Sequence, residues 1–150
     1  MTATLILGPR PGKKSKDQIK ALGVTHMVSL LGIREQASSI DRIANAIGAS
    51  WYHFPVNGGH LDTLQTLDVA QLFLLYDTIN RGSDAPIIYL HCSAGIHRTG
   101  FVAYLLLRYR GLSPQQARTE MGEMRAVTLE QVGEDRIALA ESKFIAWQAA

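Results

Sequence analysis

The ten residues His91-Cys92-Ser93-Ala94-Gly95-Ile96-His97-Arg98-Thr99-Gly100 decide the reading of this chain, and they hold its only cysteine. A strongly apolar strand pattern, Pro86-Ile87-Ile88-Tyr89-Leu90, runs into them. A helix pattern, Phe101-Val102-Ala103-Tyr104-Leu105-Leu106-Leu107-Arg108, leaves them. Cys92, five intervening residues, Arg98 and the hydroxyl of Thr99 therefore occupy a strand–loop–helix junction. Such a junction builds an anion site, because backbone N–H groups of a tight loop converge and the helix N-terminus adds partial positive charge. Arg98 supplies a planar fork that can grip two oxygens of a phosphate. Gly95 and Gly100 allow backbone angles and close approaches that a Cβ would obstruct.

Chemistry follows from that placement. A free cysteine titrates near pH 8.5, and a helix N-terminus with a nearby cation lowers this to roughly 3.5–7.5. Cys92 is expected to be a thiolate held over the phosphorus of a phosphomonoester bound by Ser93, Ala94, Gly95, Ile96, His97 and Arg98. In-line attack would give a phosphocysteine that water must hydrolyse. Thr99 can donate its hydroxyl to the thiolate as it leaves in that second step. His91 is expected to brace the loop by hydrogen bonding, and a phosphate dianion would favour the charged form of His97.

The run from His91 to Gly100 resembles the signature of the protein tyrosine phosphatase superfamily: His-Cys, five residues, Arg, then Ser or Thr. His97 is its one departure, where glycine is common. The likeness to the compact dual-specificity branch extends over most of the chain. It includes Gly23-Val24-Thr25-His26, a strand ending in Pro55-Val56, and the helices carrying Ala103-Tyr104-Leu105 and Gly111-Leu112-Ser113-Pro114-Gln115-Gln116-Ala117. The resemblance implies an α/β fold with a central, mainly parallel sheet of about four to five strands flanked by helices on both sides. It also implies a general acid, an Asp on the loop before the helix that precedes the signature. Some relatives carry that Asp at about Asn57, and asparagine has no proton to give. Asp62 lies 30 residues before Cys92, a separation compatible with compact members. Asp62 is equally what an N-cap of a helix beginning at Thr63 would be, and His60 is a further candidate. Gln131 falls where relatives often place a residue near the hydrolytic water.

Composition agrees with a single phosphatase domain over residues 1–150. The chain is 47% hydrophobic and 19% charged with a net charge of +2, an ordinary globule with no large field for nucleic acid. No stripe of aromatic and basic residues invites nucleic acid either. The longest apolar runs fall far short of the ~20 residues that cross a bilayer. The opening, Met1 to Leu7, lacks a basic leader and reaches Gly8-Pro9 too soon for a secretory signal. One cysteine excludes an internal disulfide and fits a reducing cytoplasm. Scattered histidines and the absence of a carboxylate cluster at ligand spacing imply neither metal nor other cofactor. Arg10, Lys13, Lys14 and Lys16 form a basic cluster, read as solvated or as gathering an acidic substrate.

The remaining pattern predicts strands at Leu5–Leu7, Val24–Leu31 and Ser50–Val56. Helices are predicted over Lys16–Leu22, Ser38–Ile47, Thr63–Asn80, Ser113–Met124 and Val132–Gln148. The expected substrates are phosphotyrosine, with phosphoserine and phosphothreonine, in proteins or peptides. A phosphoinositide or small phosphate ester is the alternative, although such enzymes tend to carry lysines in the loop and Ser93, Ala94, Ile96 and His97 supply none. A phosphoprotein-binding module is a third possibility, and modules of that kind usually lose the cysteine.

Overall fold

The computed structural model describes residues 2–150; Met1, the first residue of the opening searched for a leader, lies outside them. Four parallel strands, β1 (Thr4–Gly8), β2 (His26–Ser29), β3 (Ser50–His53) and β4 (Ile87–His91), form one sheet in the order β1-β4-β2-β3. The strand number, the parallel pairing and the flanking helices match the expected architecture. Residues alternate across the sheet with the period of two that strands impose. On one face Met27 and Tyr89 pack with Ile19, Ile40 and Ala44 of α1 (Lys16–Ala21) and α2 (Ser38–Ile47). On the other, Val28, Ile88 and Leu90 join the larger core.

That larger core is organised by α5 (His97–Tyr109). From Arg98 to Leu107 every residue of α5 is buried, the mark of a helix enclosed on all sides. α4 (Val69–Gly82), α6 (Pro114–Met124), α7 (Ala126–Val132) and α8 (Glu134–Ala149) surround it. Phe73 of α4 stacks on Tyr109 at 4.1 Å between ring centroids and meets Trp147 of α8 edge-on at 4.8 Å. Arg108 and Glu141 tie α5 to α8 through a fork of 2.7 and 3.0 Å.

Local chemistry explains where the helices stop. Gly48, with φ of 77°, closes α2 in the left-handed conformation. Ser113 and Gln116 form a reciprocal capping box on α6, with Pro114 at its start. The helix expected over Thr63–Asn80 is two helices, α3 (Leu61–Gln65) and α4, because Asp68 accepts from the Gln71 N–H at 3.1 Å and starts a new one. The final helix is also preceded by a separate one: Gly133, with φ of 92°, divides α7 from α8. β2 and β3 are shorter than expected, since the apolar runs beyond Ser29 and His53 continue as loops toward the site. α5 begins four residues before Phe101, which puts Arg98 and Thr99 inside its first turn.

Candidate active site

All four strands run parallel, so their C-terminal ends share one edge of the sheet, where ligands of open α/β sheets bind. Cys92 follows β4 directly at that edge and is 3% exposed. Its Sγ accepts a hydrogen bond from the Thr99 hydroxyl at 3.1 Å. Burial pushes the thiol up, but the Thr99 hydroxyl and the N–H groups of Thr99, Ile96 and Gly95 outweigh it, and the net effect is a lowered pKa.

Those N–H groups face inward because the loop carbonyls are drawn outward, each by a donor. The Arg10 N–H donates to Ser93 O at 2.8 Å. Arg125 Nη1 donates to Ala94 O at 3.2 Å and Gly95 O at 2.9 Å, and the buried Thr128 hydroxyl adds a bond to Gly95 O at 2.7 Å. Ile96 O accepts from the Gly100 N–H at 2.8 Å, already a helical bond. Gly95 is indispensable here. Its φ is +73°, and a Cβ would collide with the backbone of Gly8 and Pro9 at the end of β1.

His91 braces the loop from below through a directed chain. Trp51 Nε1 donates to Ser29 Oγ at 2.8 Å, and Ser29 Oγ meets His91 Nε2 at 2.6 Å. His91 Nδ1 lies 3.0 Å from Cys92 O, which can only accept. The neutral tautomer with its proton on Nδ1 satisfies every member of the chain. Burial accordingly brings the His91 pKa down to about 4, with the Cys92 carbonyl opposing and Arg10 and Arg98 assisting.

Arg98 is held by Glu35, a residue that sequence reasoning did not single out. Nη1 and Nη2 of Arg98 donate to the two Glu35 carboxylate oxygens at 2.6 and 3.1 Å, and Nη1 also donates to Val56 O at 2.8 Å. The Arg98 hydrogen bond holds the Glu35 carboxyl below the usual range, helped by the Gly32 N–H. With its outer edge pinned in this way the guanidinium cannot swing. Gly32, Ile33, Arg34, Glu35, Asn57, Gly58 and Arg98 line a cleft of about 460 Å³.

Asn57 and Gly58 line one side of that cleft, and the chain runs on from them through Gly59 to Asp62. Asn57 uses its side-chain oxygen to accept from the Ile33 N–H at 3.1 Å. Gly59 abuts His97, where a Cβ would come within 2.9 Å of the histidine Cβ, and Arg136 Nε holds the Gly59 carbonyl at 2.8 Å. The cap expected at Asp62 is not there: α3 opens at Leu61, two residues before Thr63, and His60 occupies the cap position without a side-chain bond. Asp62 lies in the first turn, exposed, with no hydrogen bond to its carboxylate among the described residues.

His97 is exposed at the start of α5. Partial desolvation and the charges of Arg136 and Arg98 lower its pKa, while the Gln131 carbonyl beside its ring opposes. Gln131 itself is exposed on α7. Arg10 is not a free member of the basic cluster, because its guanidinium donates to the carbonyls of Glu35 and Gln36. No three His, Cys, Asp or Glu side chains group as metal ligands among the described residues. No helix there is long and apolar enough to cross a membrane.

Comparison with known proteins gives the family and the fold. The sequence model of the tyrosine phosphatase family matches residues 10–122. No curated protein matches the chain in sequence. Among solved structures, Tk-PTP in its active form superposes with a TM-score of 0.68 at 21% identity, covering 95% of this chain and 90% of that one. The catalytic core of the PP-IP phosphatase SIW14 from S. cerevisiae gives 0.65 at 15% identity, over 89% of this chain and 77% of that one. P. aeruginosa TpbA in complex with pTyr gives 0.60 at 21% identity, over 93% and 76%.

Proposed function

From the premise that the chain belongs to the tyrosine phosphatase family, we propose that it is a cysteine-dependent phosphatase acting on phosphotyrosine, and on phosphoserine and phosphothreonine, in proteins. The observation that carries this reading is the Cys92 sulfur at the focus of three N–H groups and the Thr99 hydroxyl, with its pKa lowered against its own burial. Residues 2–150 share one sheet and act as a single phosphatase domain.

In the first step Sγ of Cys92 attacks phosphorus in line, the ester P–O bond breaks, and a phosphocysteine forms. The loop N–H groups and the Arg98 fork carry the charge of the equatorial oxygens, a preorganised array that requires no rearrangement as the transition state forms. The leaving oxygen takes its proton from the 57–62 wall, where Asp62 is the carboxylic acid. In the second step water attacks phosphorus and gives its proton to the carboxylate that Asp62 became in the first step, the P–S bond breaks, and Thr99 donates its hydrogen bond to the departing thiolate. Ser93 to His97 line the oxygens of the bound phosphate. A loop without lysine favours a single phosphate on a peptide over a densely charged small ester. A lone cysteine working as a thiolate suits the reducing cytoplasm.

The test is Cys92→Ser. Turnover of an aryl phosphate should fall below a few per cent, since a serine alkoxide is far harder to form than this thiolate, while vanadate or phosphopeptide binding persists. Retained turnover would refute the covalent route. A panel of phosphotyrosine and phosphothreonine peptides against soluble phosphoinositides assigns the substrate class.

A further inference from the structure

The loop from Gly32 to Gln36 is held by backbone hydrogen bonds at Gly32, Ile33, Glu35 and Gln36, yet it presents two side chains to solvent. Its backbone turns on itself through the Glu35 N–H to Gly32 O bond at 3.1 Å. Asn57 holds the Ile33 N–H at 3.1 Å, Arg10 holds Gln36 O at 2.9 Å, and Arg10 also reaches Ser39 Oγ at 2.8 Å. Gln36 adopts a φ of 55°, the left-handed region that non-glycine residues enter only when their surroundings demand it. On this rigid support Ile33 is 71% exposed, and the Arg34 guanidinium has no hydrogen-bond or ion-pair partner among the described residues.

Both side chains line the cleft that contains Arg98. The Glu35 carboxylate in that cleft is already matched by Arg98, so Arg34 contributes an uncompensated positive charge at the mouth. A prefixed backbone has no ordering entropy left to lose on binding, and an exposed isoleucine gains by being covered. Resting on the phosphopeptide reading above, we propose that Ile33 and Arg34 form a subsite selecting peptides with an acidic side chain close to the phosphorylated residue. Arg34 pairs with the carboxylate, and Ile33 packs on the aliphatic part of the peptide. A compact cleft of this volume spans on the order of 10 Å, about three residues of extended peptide, so the acidic residue lies within three positions of the phosphoresidue.

The test uses matched phosphotyrosine peptides carrying Glu or Gln at one position from three before to three after the phosphotyrosine. At low salt the Glu peptide should have the higher kcat/KM at one or more positions, by about three- to five-fold, as expected of a half-exposed ion pair. Arg34→Gln should bring that ratio to about one, Arg34→Glu should invert it, and 0.5 M salt should erase it. Arg81→Gln removes the same charge from the end of α4, which precedes β4 and so lies at the opposite edge of the sheet, and it should leave the ratio as it was. The subsite is overturned if the wild type shows no ratio, if Arg34→Gln preserves it, or if Arg81→Gln abolishes it equally. Failure of both peptides with aryl phosphate still hydrolysed would overturn the peptide reading and this subsite together. Failure of aryl phosphate as well would overturn the phosphatase reading itself.

Discussion

The phosphate loop and the wall opposite it are held in quite different ways. In residues 92–96 the outward carbonyls meet donors from the loop after β1, from α7 and from the Arg125 junction, and Cys92 is 3% exposed. In residues 57–62 the Asn57 bond to Ile33, the Arg136 bond to Gly59 and the contact with His97 are the anchors, and Asp62 is exposed without a partner among the described residues. The contrast suits two tasks. A site that stabilises charge must be rigid before the reaction begins. A group that delivers a proton and then takes one from water needs solvent access.

Breaking the rigid side should have the largest effect. Gly95→Ala places a Cβ against the Gly8 backbone in a positive-φ conformation, so the loop must shift and several donors turn away. Turnover of an aryl phosphate should drop by ~10³ or more, with circular dichroism and thermal midpoint little changed for the rest of the fold. A near-normal rate would show that the carbonyl-out arrangement is not required.

Breaking the wall opposite should cost less and depend on the leaving group. Asp62→Asn should slow a phosphotyrosine peptide by ~10²–10³ and an activated aryl phosphate much less, with the basic limb of the pH–rate profile flattened. Equal, small effects on both substrates would move the proton donor to His60 or leave the reaction without a dedicated acid, as Asn57 suggests.

Loosening the support of Arg98 should fall between a broken site and a silent change. Glu35→Gln keeps the shape but removes the charge that fixes the fork, and kcat/KM should decline by ~10–100-fold. Single-turnover kinetics should show the loss in phosphocysteine formation rather than in its hydrolysis.

The brace beneath the loop should show itself in stability with the smallest effect on rate. His91 titrates near 4 in the folded chain and near 6.5 when unfolded. Between those values the unfolded chain binds the extra proton, so stability falls as pH drops from 6.5 to 4 and levels off below. The full contribution is at most ~3 kcal/mol. His91→Asn should remove that part of the slope in urea titrations at pH 4, 5, 6 and 7; an unaltered slope would place the acid sensitivity elsewhere.

Much of this site was legible because it is local. Cys92, Arg98 and Thr99 share one loop and one helical turn, and the flanking strand and helix patterns told what kind of junction they occupy. Glu35 was not legible, being 63 residues from Arg98, in a stretch whose polar residues look like any solvated turn. Arg125 and Thr128 reach the loop from about 30 residues away, in the stretch between the helices expected to end at Met124 and to begin at Val132, where no element was expected and α7 lies. The break before α4 had a visible sign in Asp68, whose capping preference was hidden by the leucine stripe continuing through it. The cap reading of Asp62 failed because α3 opens two residues before Thr63, which leaves Asp62 inside the first turn instead of ahead of it.

The dependence of the loop on β1 has a kinetic consequence. Gly8 forms the floor against which Gly95 rests, and the Tyr89 hydroxyl donates to Pro9 O, 80 residues away along the chain. β1 emerges first in synthesis but cannot pair until β4 has followed it, so it must wait unpaired while β2 and β3 associate around α2. Long-range parallel pairing is slow, because the entropy of closing the intervening chain is lost before the contacts form. Recovery of turnover after dilution from denaturant therefore times the last event of folding, and should lag behind the helical signal at 222 nm.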